Sequence, residues 1–191
     1  MSRFNRQDCN SKNQEFVKTA EDAVEYMDRI MYNAGYEDNT KYIIREAKGK
    51  ERSQYRKHND YGEVIINTKQ PGWFEALMHE LGHGACYNVP ELRAKLDDLL
   101  VDIETGKVIK VQGYSGDVPK YKETKISMPS WYCTRLKDGR CEELLTMWLS
   151  CFTGQTTRRN DMNSGVEMFC PADFARQFPD YFNAILRILR K

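Results

Sequence analysis

The stretch Met78-His79-Glu80-Leu81-Gly82-His83 places two of the chain's three histidines four residues apart, with a glutamate directly after the first. On an α-helix, positions i and i+4 lie on one face, so both imidazoles can reach one tetrahedral Zn²⁺. Glu80 then projects toward a metal-bound water, where a general base is needed. The motif predicts zinc-assisted hydrolysis, with His79 and His83 as metal ligands and Glu80 as the catalytic base.

The residues around the motif favour an active-site helix over 72–88. Pro71-Gly72 is a start signal, Pro90 is a stop signal, and apolar residues keep a helical pattern between them. A glycine inside a helix costs up to about 1 kcal/mol relative to alanine, so Gly82 predicts close backbone approach by a neighbouring helix or strand. The alternative is a helix whose histidines only pack or form hydrogen bonds.

Composition predicts one soluble domain spanning 1–191. The 29 basic and 28 acidic side chains nearly balance, so no nucleic-acid partner is expected. The short basic runs at 48–52 and 56–58 are interpreted as a hairpin turn and a solvated strand edge. Because no segment is long and apolar enough for a membrane span or a signal core, we expect no membrane contact and a cytoplasmic protein. Export by a dedicated secretion system stays open.

The six cysteines form no Cys-x-x-Cys pair, and several fall within apolar helical patterns. This usage is typical of free, buried thiols in a reducing compartment. A disulfide between Cys133 and Cys141 remains an alternative.

Hydrophobic patterning predicts an N-terminal helix within 1–35, with Asn10 or Ser11 as its cap and Gly35 as its stop. Three β-favouring runs follow at 41–45, 52–56 and 62–67, within a small antiparallel sheet over 41–67. We expect this sheet to lie along the metal cleft and to offer its edge to an extended peptide.

The second half of the chain predicts a short helix over 90–100 and a hairpin over 101–111 that turns at Thr105-Gly106. The stretch 112–139 is interpreted as an irregular substrate loop that forms one wall of the cleft. Helices are expected over 140–190, beginning with one from about 139 to 152.

Zinc catalysis needs three protein ligands and one open position, so the two histidines require a third partner. A histidine six residues after His83 would indicate a metzincin, but that position is Val89. His58 falls in a predicted hairpin turn, where a solvent-exposed role is expected. Glu142 and Glu143 open an apolar helix farther along the chain, and either could supply the ligand.

His79-Glu80-Leu81-Gly82-His83 followed by such a carboxylate-led helix resembles the gluzincin metallopeptidases. It is most similar to their compact branch of lethal-factor-like enzymes and Pro-Pro endopeptidases. The ligand glutamate of that branch precedes two bulky apolar residues and a small one, which Glu143-Leu144-Leu145-Thr146 matches. The resemblance therefore implies Glu143 rather than Glu142. The chain departs from the branch pattern at Met147, where an acidic residue is common, and at Leu136, where a tyrosine is common.

The resemblance implies a single zincin-like α+β domain, with a small antiparallel sheet, an HExxH helix and C-terminal helices. It implies a metalloendopeptidase that holds one Zn²⁺ per chain and acts on a protein or peptide substrate. Tyr132 is the first candidate for stabilising the oxyanion, and Tyr114 and Tyr121 share its loop. The alternative is an inactive or non-peptidase zincin-like protein that serves as a metal-dependent binding or regulatory module. Oligomeric state is left open.

Overall fold

The computed structural model describes residues 9, 11–110, 120–129, 131–134, 141–153, 157–158, 167–168 and 171–190, and it shows a mixed α+β architecture. The order of the elements is α1 (Gln14–Asn33), β1 (Lys41–Glu46), β2 (Gln54–Lys57), β3 (Tyr61–Ile66), α2 (Trp73–Asn88), α3 (Pro90–Ile103), β4 (Glu104–Lys110), β5 (Lys120–Thr124), a 3₁₀ helix (Trp131–Thr134), α4 (Glu142–Ser150), a second 3₁₀ helix (Cys151–Thr153), β6 (Thr157–Arg158), β7 (Glu167–Met168), α5 (Pro171–Gln177) and α6 (Pro179–Ile188).

Helix α1 is amphipathic and begins two or three residues later than the sequence predicts. The side chain of Asn13, rather than Asn10 or Ser11, caps the helix by accepting hydrogen bonds from the backbone N–H groups of Glu15 and Phe16. Gly35 follows its end with φ of 69°, as expected for a residue that terminates a helix. The apolar face of α1 is buried against the rest of the protein, through Phe16, Val17, Ala20, Ala23, Val24, Met27 and Met31.

The sheet over 41–67 is mixed, so the prediction of an antiparallel meander is wrong. Its strand order is β1-β3-β2, with β1 parallel to β3 and β2 antiparallel to β3. Burial explains this order: β3 carries Val64, Ile65 and Ile66 with no exposed area, whereas β2 is polar and partly exposed. The most apolar strand takes the centre, and β2 becomes an edge.

The predicted hairpin over 101–111 is also wrong. Helix α3 continues to Ile103, and β4 runs through Thr105 and Gly106 without reversing. It pairs with β5, and the register shifts between Glu104 and Val108. Gly106 has φ of 81°, a conformation that suits a β-bulge as well as a turn. The expected irregular loop over 112–139 thus contains strand β5 and a 3₁₀ helix, while 111–119, 130 and 135–140 lie outside the described residues.

Helix α4 is the most deeply buried helix, since every one of its residues from Glu142 to Ser150 is buried. Two hydrogen bonds join it to α6: the Tyr181 hydroxyl donates to the carbonyl of Leu144, and the Trp148 indole N–H donates to the carbonyl of Phe182 at 3.2 Å. These bonds connect α4 to α6 in addition to its packing against α2.

Two further expectations concern the chain as a whole. None of the helices in the described ranges has both the length and the apolar character that crossing a bilayer requires. Cys133 and Cys141 are both buried free thiols, as are the other described cysteines, so the alternative of a disulfide between them is not observed.

Candidate metal centre

Helix α2 presents His79 and His83 on one face. Their ring centroids lie 4.9 Å apart and their planes are nearly perpendicular, at 81°. His79 is 7% exposed, and the side chain of His83 is 14% exposed. Both imidazoles are therefore largely buried.

Helix α4 brings Glu143 onto both histidines. Its Oε2 lies 3.5 Å from Nε2 of His79, and its Oε1 lies 3.5 Å from Nε2 of His83. The candidate ligand atoms of the three residues all lie within 4.8 Å of one another. Ligand atoms held tetrahedrally at zinc distances of about 2.0–2.2 Å are separated by roughly 3.4 Å. The two separations between Glu143 and the histidines are therefore close to those that a bound metal ion of this size would impose.

The close approach of α2 and α4 depends on Gly82. A Cβ at this position would lie 2.9 Å from both Cδ1 of Leu149 and Cγ2 of Thr146, and 3.3 Å from Cα of Thr146. The interpretation of Gly82 as a point of close helix approach is confirmed. Without this contact, the carboxylate of Glu143 would lie farther from the two imidazoles.

The carboxylate of Glu143 is held in place by its own helix. Glu143 is 1% exposed, and its Oε2 accepts a hydrogen bond of 3.2 Å from the hydroxyl of Thr146, which is fully buried. A ligand whose second contact is fixed in this way keeps one orientation. Thr146, the small residue that follows Leu144 and Leu145, thus contacts the carboxylate of Glu143 directly.

The structure places the two candidate glutamates differently. Glu143 faces the histidines, whereas Glu142 accepts a hydrogen bond of 3.4 Å from the hydroxyl of Tyr87. Glu142 is not part of the cluster of potential ligands. The structure therefore brings Glu143, and not Glu142, to the predicted metal position.

Glu80 lies in the cleft that opens over these residues. The cleft has a volume of ≈ 290 Å³, and its walls come from the start of β2, from α2 and from the start of α4. Glu80 is 9% exposed and lines this cleft beside His79 and His83. The predicted base and the predicted ligands thus border one solvent-reaching space.

The candidate oxyanion donors have different locations. Tyr132 belongs to the 3₁₀ helix before α4, but its side chain lies outside the part of the chain that the structure describes. Tyr114 also falls outside the described residues. Tyr121 is buried in β5, with 8% exposure. The role of Tyr132 stays a prediction.

Two tyrosines that the sequence analysis did not single out also line the cleft. The rings of Tyr55 and Tyr87 are stacked, with centroids 5.8 Å apart and planes at 17°. Burial raises the pKa of Tyr55 above its ordinary value, so its hydroxyl keeps its proton at neutral pH. Helical spacing could have identified Tyr87, since it lies one turn beyond His83 on the same face.

His58 lies away from this centre, in the turn between β2 and β3. It is exposed and stacks on Tyr61 with ring centroids 4.4 Å apart. Its Nε2 lies 3.5 Å from Oε2 of Glu63. The expectation of a solvent-exposed role in a hairpin turn is confirmed.

Comparison with protein family models, with curated proteins and with solved structures gives no match for this chain. The resemblance to gluzincins therefore stays a prediction.

Proposed function

We propose that this protein is a zinc-dependent metalloendopeptidase. One observation carries the proposal: Nε2 of His79 and Nε2 of His83 each lie 3.5 Å from an oxygen of Glu143, next to a cleft that Glu80 also lines. Two imidazoles and one carboxylate are the ligand set of a large class of catalytic zinc sites. Among the described residues, the ligand cluster holds these three groups, which leaves a coordination position for water or substrate.

The proposed mechanism assigns a task to each side chain. When bound, a zinc ion would lower the pKa of a coordinated water toward ~7 and polarise the substrate carbonyl. Glu80 accepts a proton from the attacking water and then delivers it to the leaving amine, a role worth about 10²–10⁴-fold in rate. Tyr132 is the proposed donor to the developing oxyanion, because it closely precedes the helix that carries Glu143.

The edge strand supports a peptide substrate. In the described part of the sheet, β2 pairs with β3 on one side only, and Gln54 and Tyr55 line the cleft. Two contacts hold this strand against the end of α2: Lys57 Nζ donates to the carbonyl of Tyr87 at 3.1 Å, and Asn88 Nδ2 donates to the Tyr55 hydroxyl at 3.4 Å. An extended chain could add to the free edge through backbone hydrogen bonds, as in other cases of β-strand addition.

Metal analysis combined with Glu80→Gln tests the proposal. We expect about one zinc per chain in both proteins, because Glu80 is not a ligand, and cleavage of a peptide library by the wild type alone. Equal cleavage by the two proteins would remove Glu80 from the mechanism. A protein that retains zinc but cleaves nothing would instead favour a metal-dependent binding or regulatory module. By family analogy, the proposal extends to a dedicated protease that acts inside a cell.

A further inference from the structure

Glu142 is a buried carboxylate in the wall of the cleft. It is 4% exposed, yet it lines the same cleft as Glu80 and the two histidines. It is the first residue of α4 and directly precedes Glu143. A charged group of this kind is costly to bury unless a partner compensates its charge.

The partners of Glu142 within the protein are neutral. Its Oε1 accepts a hydrogen bond of 3.4 Å from the Tyr87 hydroxyl, and its Oε2 accepts one of 3.8 Å from the thiol of Cys141. Within the described ranges, no Lys, Arg or His nitrogen lies within salt-bridge distance of either oxygen. The N-terminal end of α4 contributes only a partial positive charge. Within the part of the chain that the structure describes, the carboxylate is thus hydrogen-bonded but has no cation.

Two cationic side chains of the described residues near the cleft have other positions. The guanidinium of Arg93 lies over the ring of Tyr87, with its central carbon 5.3 Å from the ring centroid. Arg52 is exposed and lines the cleft just before β2, whereas Glu142 lines it from α4. Neither side chain pairs with Glu142.

We infer that Glu142 forms a subsite for a positively charged group of the substrate, either a Lys or Arg side chain or a free α-amino group. The inference rests on the proposed peptidase function and specifies its substrate class. A cation in this position would form a charge-assisted hydrogen bond with the carboxylate, and its aliphatic stem would lie near the stacked rings of Tyr55 and Tyr87.

The position of Glu142 limits where that group can lie in the substrate. Consecutive Cα atoms are about 3.8 Å apart, and an extended substrate advances about 3.3–3.6 Å per residue. Because Glu142 lines the same cleft of ≈ 290 Å³ as Glu143 and the two histidines, the cationic residue is expected within about two residues of the scissile bond. A free α-amino group at that distance would make the enzyme act near substrate N-termini.

Cleavage profiling with Glu142→Gln tests the subsite. A proteome-derived peptide library is cleaved by the wild type as prepared, after acetylation of lysines, and after acetylation of N-termini alone. If the cation is a side chain, we expect Lys or Arg to be enriched near the cut even after N-terminal acetylation. If it is an α-amino group, we expect cleavage to require a free N-terminus. Synthetic peptides are then compared in pairs that differ only in the cation. One pair has lysine or norleucine at the preferred position, and the other has a free or an acetylated N-terminus. The ratio of the two kcat/KM values in a pair measures the preference.

Glu142→Gln should reduce this ratio by about tenfold or more, since the amide keeps the shape but loses the charge. Tyr87→Phe is the matched control: it removes the hydroxyl beside the carboxylate and should keep a clear preference for the cation. A wild type that cleaves peptides without cation preference, or a Glu142→Gln protein with an unchanged ratio, overturns the subsite and leaves the proposed function standing. A zinc-loaded wild type that cleaves none of the libraries overturns both.

Discussion

The hydroxyl of Thr146 donates a hydrogen bond of 3.2 Å to Oε2 of Glu143, the same oxygen that lies 3.5 Å from Nε2 of His79. Both residues belong to α4, and neither is more than 1% exposed. The hydroxyl also lies 3.3 Å from the backbone carbonyl of Glu143, and its contact with Oε2 favours the carboxylate orientation that faces the histidines. Outer contacts of this kind commonly contribute to metal affinity as well as to ligand orientation.

Thr146→Val should therefore weaken zinc binding by about 10–100-fold, because valine keeps the shape but cannot donate the hydrogen bond. Thr146→Ser keeps the hydroxyl and is the matched control, with an expected affinity near that of the wild type. Competition with a chromophoric chelator measures both. Equal affinities in the valine and serine variants would show that the hydroxyl does not orient the ligand.

Gly82→Ala should push α4 away from α2. The added Cβ would lie 2.9 Å from Cγ2 of Thr146 and 3.3 Å from its Cα, which cannot move without the helix. Overpacking costs about 1–3 kcal/mol, which outweighs the gain of up to about 1 kcal/mol in helix propensity. Urea unfolding should show the lower stability, and zinc affinity should fall with it. Adding Thr146→Ser removes the methyl group that the new Cβ would meet, so it should restore part of the stability and part of the zinc affinity. If neither recovers, the strain does not arise at this contact.

Zinc should stabilise the folded protein through the three residues of the proposed centre. At a free zinc concentration of 100 times Kd, binding adds about 2.7 kcal/mol, or roughly 5–10 °C in Tm for a chain of this size. A chelator should reverse the shift. Glu143→Ala should abolish it and Glu142→Ala should retain it, as measured by calorimetry. Loss of the shift only in Glu142→Ala would reverse the assignment of the third ligand.

Glu51 should contribute to stability at neutral pH and lose this contribution in acid. The guanidinium of Arg45 binds both of its oxygens, at 2.8 and 3.1 Å, and holds the pKa of Glu51 at about 2, below the ordinary 4.5. Because the folded-state pKa is the lower one, the stabilisation is fully present above pH 4.5 and is lost as the pH falls toward 2.

Urea unfolding of Glu51→Gln tests this dependence. The variant should be less stable than the wild type at pH 7, and the difference should shrink as the pH approaches 2. Glu25→Gln is the control, since Glu25 forms only an exposed ion pair with Arg29 and should change stability little at either pH. A constant difference between Glu51→Gln and wild type across this range would contradict the prediction.

The described thiols should react slowly in the native protein. Burial raises the pKa of Cys9 to about 11, with a smaller contribution from Glu46, and burial raises the pKa of Cys86 well above its ordinary value. Because the thiolate is the reactive form, iodoacetamide at pH 8 should label these positions only after unfolding. Mass spectrometry of a Cys170→Ser protein counts the labelled cysteines before and after unfolding. A native mass lower by two hydrogens would instead reveal a disulfide such as Cys133–Cys141.

Local sequence patterns predicted the helices well and the sheets poorly. The start and end of α2 follow from Gly72 and Pro90, since these signals act within a few residues of the helix. Strand pairing depends instead on which strand the whole fold buries, and the apolar run Val64-Ile65-Ile66 placed β3 in the centre. The glycine at position 106 does not distinguish a hairpin turn from a bulge, because a positive φ occurs in both.

The sequence by itself determined that His79, Glu80 and His83 occur together on a helix, because i and i+4 geometry depends only on the local backbone. Which of two adjacent glutamates meets them was decided by tertiary structure. Glu142 and Glu143 point about 100° apart on a helix, so the packing of α4 against Gly82 turns one toward the histidines and the other toward Tyr87. The position of β2 beside the cleft was also decided by tertiary structure, because it follows from the burial of β3 at the centre of the sheet.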